Sequence, residues 1–248
     1  MTDTALRVIR KLLSRAESTD FESEREACLA KVAELMARHS IEEALVWASA
    51  DREGPEAPTE RLLVVPPPYA ARKVLLFGAV GQHAGCTVID VGADPAGVRR
   101  VAVIGFPGEI DRMELLTTSL LVQLTRSMLG ASPARRRSAG ATAAWRRSFI
   151  TGFTLRVAER LEEARSAEAG AVGRRRGEDA DGRGRSVAVV LAGREAAVEA
   201  EVRRRYPHLR SRRTDGGSSR DGHLAGRSAG DRAGLGEAAL RGARALPG

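Results

Sequence analysis

Apolar residues recur along the first forty residues at three- and four-residue steps, the period of a helix with one buried face. Leu6, Ile9, Leu12, Leu13 and Ala16 form one stripe. Ser18 to Asp20 stop it, and Thr19 followed by Glu22 has the spacing of a capping box for a second helix reaching about Arg38. That helix carries Ala27, Cys28, Val32, Leu35 and Met36 inward. Ser40 and Glu43 repeat the capping pattern ahead of Ile41, Ala44, Leu45 and Trp47. Residues 1–50 are therefore expected to be a small helical unit. It is too short to bury much apolar surface alone, so it is expected to dock on the rest of the chain.

The pattern changes after a polar linker, 51–61. Leu62 to Val65 is a short strand candidate ended by Pro66, Pro67 and Pro68, and Tyr69 to His83 reads as helix. Cys86 to Val91 and Arg99 to Phe106 are β-branched runs on either side of Ala93-Asp94-Pro95-Ala96-Gly97, which predicts a hairpin. Pro107 suits a first helical position, and Glu109 and Asp111 suit the positive end of that helix. Ile110, Met113, Leu116, Leu120, Leu121 and Leu124 would be its buried face. Thr142 is the expected cap of a long helix to about Ala167, with Trp145, Phe149, Phe153, Val157 and Leu161 inward. A loop rich in Gly, Arg and Asp near 170–185 reads as disordered. Ser186 to Leu191 reads as a strand, and Arg194 to Tyr206 as an amphipathic helix. The fold class expected is α+β: the helical unit, then a domain over 62–248 in which a short mixed sheet packs against long helices.

One segment has an unusual period. Gly222, Gly226, Gly230 and Gly234 stand four apart, with Ala225, Ala229 and Ala233 beside them. On a helix this is a stripe without side chains. Each glycine costs up to about 1 kcal/mol against alanine, so the stripe predicts the close approach of another backbone.

Several residue groups resemble known families. Ile9-Arg10-Lys11-Leu12-Leu13, Ala16-Glu17-Ser18, Glu24, Glu26-Ala27, Lys31, Ala33-Glu34-Leu35-Met36 and His39-Ser40-Ile41 resemble the helical family called domain of unknown function 2786, whose members occur in bacteria and phages. Ile104 to Gly108, Trp145-Arg146-Arg147-Ser148-Phe149, Gly152-Phe153, Tyr206-Pro207 and the Gly226 to Gly234 repeat resemble domain of unknown function 7168, often joined to it. The resemblance supports the boundary between the two parts and implies no activity.

Charge changes the picture more than composition does. With 43% hydrophobic and 29% charged residues, the chain has the balance of a globular protein. No apolar run approaches the roughly 20 residues that span a bilayer, and Met1 to Leu6 lack a signal-peptide pattern. A cytoplasmic protein without membrane contact is expected, with Cys28 and Cys86 as free thiols. The formal net charge of +8 is uneven: residues 1–130 hold 15 basic and 18 acidic side chains, residues 131–248 hold 25 and 14. The halves thus differ, −3 against +11. Only Lys11, Lys31 and Lys73 of the 40 basic residues are lysines. Arginine grips phosphate bidentately and stacks on bases, although a GC-rich coding sequence favours the same composition.

The expected function is non-catalytic binding of nucleic acid through Arg135, Arg136, Arg137, Arg146, Arg147, Arg203, Arg204, Arg210, Arg212 and Arg213. Tyr206 and His208 stand beside the second cluster. At 4% of the chain, aromatics offer little stacking surface. An alternative is an enzyme acting on a phosphorylated or nucleic-acid substrate, with Gly216-Gly217-Ser218-Ser219-Arg220, Asp221 and His223 in its site. Yet no GxxxxGK[ST], GxSxG or His-pair spacing is present, so no cofactor, metal or catalytic residue is expected. Cys86 with His83 is a further nucleophile pair by chain distance, against the simpler reading of a core thiol. A third alternative is a protein-interaction scaffold that exposes Leu6, Leu13 or Trp47.

Overall fold

The computed structural model describes residues 57–131, 138–178, 185–210 and 218–235, with scattered positions between Val8 and Lys31; for 165–178 and 185–191 only the backbone is described. The protein is α+β, as expected. Its described elements run β1 (Thr59–Val65), α1 (Ala70–His83), β2 (Thr87–Ala93), β3 (Arg99–Gly105), α2 (Pro107–Gly130), α3 (Ala139–Glu178), α4 (Arg185–Arg205) and α5 (Arg220–Arg232).

The described N-terminal positions Val8, Lys11, Leu12, Arg15, Ala16, Ser23, Glu24, Ala27, Cys28 and Lys31 are helical, with Thr19 and Phe21 outside helix. Ala16 is fully buried and Leu12 packs on the main core, so the first helix docks there. Thr19 bonds to Glu24 and accepts from the amide of Phe21. Residues 41–50, Leu6, Leu13 and Trp47 lie outside the described residues.

The sheet has the order β1-β3-β2, antiparallel at both pairings. It was expected to be mixed. That expectation needed a strand at Ser186–Leu191, and this segment is the first part of α4 instead. A six-residue apolar run fits either state, and here it continues without a break into Arg194–Arg205. β-branched residues cost a helix a few tenths of a kcal/mol each, less than an unpaired strand's backbone groups. Strand β1 also starts earlier than expected, taking Thr59–Arg61 from the linker.

The expected hairpin joins β2 to β3. Asp94 closes it: its carboxylate accepts from the amides of Ala96 and Val98, and Gly97 takes a positive φ. Helix α1 ends as glycine signals dictate. Gly85, at φ 76°, lets the Cys86 amide reach the Gly81 carbonyl at 2.8 Å, a Schellman turn. Helix α2 starts at Pro107 as expected, with Glu109 in its first turn.

Two corrections concern α3. It starts at Ala139, and Ser138 rather than Thr142 caps it, its hydroxyl accepting from the Ala141 amide. It runs past Ala167 to Glu178, so residues 170–178 of the expected disordered loop are helical. Alanine, arginine and glutamate are strong helix formers, and they outweigh Gly170, Gly173 and Gly177 over this stretch.

The sheet separates two apolar clusters. Leu63, Val65, Val101 and Val103 face the main core, shared with Leu76, Phe77, Ile110, Met113, Leu120, Leu124, Phe149 and Phe153 of α1, α2 and α3. Ile89, Ala102, Ile104 and Phe106 face the other way and meet Val198 of α4, with Ala197, Val202 and Tyr206 around it. Arg194 anchors the start of this contact. Its guanidinium lies 3.6 Å from the centre of the Phe106 ring and 3.0 Å from Glu109. At the far end Tyr206 and Arg205 both donate to Glu60 of β1.

Candidate nucleic-acid interface

The glycine stripe does what its period predicts. A Cβ on Gly222 would lie 2.5 Å from the Trp145 carbonyl oxygen, and one on Gly226 would lie 2.0 Å from that of Phe149. One on Gly230 would lie 2.9 Å from that of Phe153. Gly152 returns the contact from α3, its Cβ position 2.1 Å from the carbonyl oxygen of His223. Both series ascend together, so α3 and α5 run parallel, with the start of α5 beside the second turn of α3. Gly234 departs from the stripe. It lies beyond the helix, where its amide donates to the Gln123 side chain and its carbonyl accepts from it.

Polar groups hold the seam at both ends. The Ser148 hydroxyl, fully buried, accepts from the Ser219 amide at 3.0 Å, and the Ser219 hydroxyl accepts from Gly222 as N-cap. At the other end Arg160 donates to the carbonyls of Gly230 and Ala233, a cation at the negative end of α5. Arg227 grips Glu159 with two 2.7 Å bonds, and Arg156 pairs with Asp231 and Glu163.

Hydrogen bonds from Arg227, then from Arg156, hold the Glu159 carboxyl down at about 2. A carboxyl depressed in the folded state stabilises it above the unfolded value, near 4.5, and that contribution is lost as pH falls towards 2. The urea midpoint is therefore expected to fall as pH drops through this window, and Glu159→Gln to flatten the decline. A midpoint profile identical in the variant would rule out the contribution.

Several arginines of the second half are thus engaged within the fold. The predicted cluster around the end of α4 is partly matched as well. Arg203 pairs with Glu199, and Arg204 with Glu201, which also takes Arg205. Bonds from Arg204 and then Arg205 hold Glu201 at about 2. Arg210 is exposed. Arg135, Arg136, Arg137, Arg212 and Arg213 lie outside the described residues.

Two of the arginines outside these ion pairs lie near the start of α5. Arg147 and Arg220 are exposed, and among the described residues neither pairs with a carboxylate. They adjoin Ser148 and Ser219, whose hydrogen bond ties the start of α5 to the third turn of α3. Half-buried Arg146 is next to Arg147. Arg220 was visible in the sequence only as part of a glycine-rich segment. Its juxtaposition with Arg147 follows from the glycine register between α3 and α5.

Residues 5–43 match a protein family. Its description is "Protein of unknown function (DUF2786)". The match falls on the N-terminal helical positions and stops before β1. No curated protein and no solved structure matches the chain.

The alternative chemistry finds less support in the geometry. Among the described residues no three His, Cys, Asp or Glu side chains gather where a metal could sit. Burial, and secondarily the charge of Glu109, pushes the Cys86 thiol up to about 12, far from a nucleophile at neutral pH. Its sulfur packs under Gly105, where a Cβ would lie 2.6 Å away. Among the described residues no helix is long and apolar enough to cross a membrane.

Proposed function

We propose that the chain binds nucleic acid without catalysing a reaction, using the end of the molecule where α3 and α5 begin. The observation that carries this reading is the parallel pairing of these helices. It turns both positive helix ends in one direction, with exposed Arg147 and Arg220 beside the Ser148–Ser219 contact. Helix starts and unmatched guanidinium groups both favour phosphate.

Chain connectivity adds to this charge. Arg137 is bonded to Ser138, the cap of α3, and Arg135 and Arg136 directly precede it. Arg212 and Arg213 lead through Asp215 into Ser218, one residue before the cap of α5. Asp221, in the first turn of α5, is the acidic counterweight at this end. The Arg203–Arg205 group is secondary, because its glutamates already occupy much of it.

The test is a mobility-shift titration of the full chain with single- and double-stranded oligonucleotides over a salt series. Binding that weakens steeply with salt is expected. Replacing both Arg147 and Arg220 by glutamate is expected to weaken it at least about tenfold and to lower the salt slope. No binding at low salt, or binding that the double variant leaves unchanged, overturns the proposal.

A further inference from the structure

The sheet has two edges, and among the described residues only one of them is protected. At β2 the pairing slips between Asp90 and Gly92, Gly92 takes a φ of 120°, and Asp90 pairs with Arg99. A bulge with a charge beside it is how sheets keep further strands away. At β1 the register with β3 is unbroken over all seven residues, Thr59 to Val65. Among the described residues no strand lies on its far side.

Two apolar side chains of this edge strand are exposed. Leu62 is 59% exposed and Val64 36%. Both lie on the sheet face that α4 partly covers, since Leu62 stands across from Ala102 and Val64 from Arg100. Helix α4 covers Ile89, Ala102 and Ile104, and its end reaches β1 only at Glu60. Leu62 and Val64 lie beyond it. The charges of the strand are already engaged: Glu60 with Arg205 and Tyr206, and Arg61 with Asp111 and Glu114. No lysine and no proline interrupts Thr59–Val65.

We infer that β1 pairs antiparallel with β1 of a second copy of this chain, joining two three-stranded sheets edge to edge. The sequence of the strand selects its own kind. Antiparallel pairing about Leu63 sets Leu62 across from Val64 of the other copy, and Val64 across from Leu62. Each exposed aliphatic side chain then covers another, the cross-strand contact that stabilises sheets. In the same register Arg61 meets Val65 of the other copy, so no like charges oppose each other. Pro66 lacks an N–H and ends the ladder after Val65. Shifting the axis to Leu62 would instead set each Val64 against a Glu60 carboxylate, an inferior match.

Sedimentation of the full chain over a concentration series tests this. A dimer that dissociates on dilution is expected. The double variant Leu62→Lys with Val64→Lys is expected to be monomeric at every concentration, with an unchanged circular-dichroism spectrum and the melting temperature of the diluted, monomeric wild type, because both positions are exposed in the single chain. Wild-type chain that stays monomeric throughout, or a dimer that persists in the lysine variant, overturns the inference. Arg147 and Arg220 take no part in this contact, so the outcome is independent of nucleic-acid binding.

Discussion

Gly226→Ala is expected to cost the protein about 3 kcal/mol, although alanine is the better helix former. The two effects have opposite signs, and their magnitudes decide between them. Within a helix the exchange gains at most about 1 kcal/mol of propensity. Against this, the new Cβ would lie 2.0 Å from the Phe149 carbonyl oxygen and 2.9 Å from the Phe153 amide nitrogen. Both are backbone atoms of a helix and cannot rotate away. To restore ordinary contact, α5 must lift by about 1 Å along the whole seam, loosening the Ser148–Ser219 and Arg227–Glu159 bonds with it. Gly78 is the control. It lies inside α1 with nothing within 4 Å of its Cβ position, so Gly78→Ala carries only the propensity term and is expected to stabilise by about 0.5–1 kcal/mol. Urea unfolding of both variants measures this. A Gly226→Ala protein as stable as wild type would show that the helices do not approach as described.

The close approach of two backbones was legible before any coordinate, because glycine at four-residue steps on a helix has no other use worth its cost. Its direction was not. A period identifies a face, but the same face could meet a parallel or an antiparallel neighbour. Only the pairing of Gly222 with Trp145 and Gly226 with Phe149 decides that. The basic excess behaved similarly. Glu201 lies three and four residues before Arg204 and Arg205, a spacing that already announces ion pairs on a helix. Arg227 and Glu159 are 68 residues apart, and nothing local connects them. Turns and caps are legible where one side chain decides, as at Asp94 and Pro107. They are ambiguous where two hydroxyls compete, as with Ser138 before α3 and Thr142 inside its first turn. The run Ser186–Leu191 misled because β-branched residues describe what a segment tolerates, while the neighbouring helix described what it joined.

Arg61→Met is the second substitution with a large expected cost, again about 3 kcal/mol, for an electrostatic reason. Arg61 reaches from β1 to α2, its Nη1 atom 2.8 Å from Asp111 and 3.2 Å from Glu114. The two carboxylates differ in what they lose. Asp111 is half exposed, and water replaces the guanidinium, so that bond contributes little. Glu114 has no exposed side-chain surface, and taking away the cation leaves its charge in the core without that counterion. The pair therefore costs most when halved. Replacing both residues with apolar ones, Arg61→Met with Glu114→Leu, is expected to recover most of the loss, because a buried ion pair stabilises little relative to a well-packed apolar contact. A double-mutant cycle in urea measures the coupling, expected to be about 2 kcal/mol. Additive single effects would mean that Glu114 does not depend on Arg61, and that β1 is fixed to α2 by its apolar face alone.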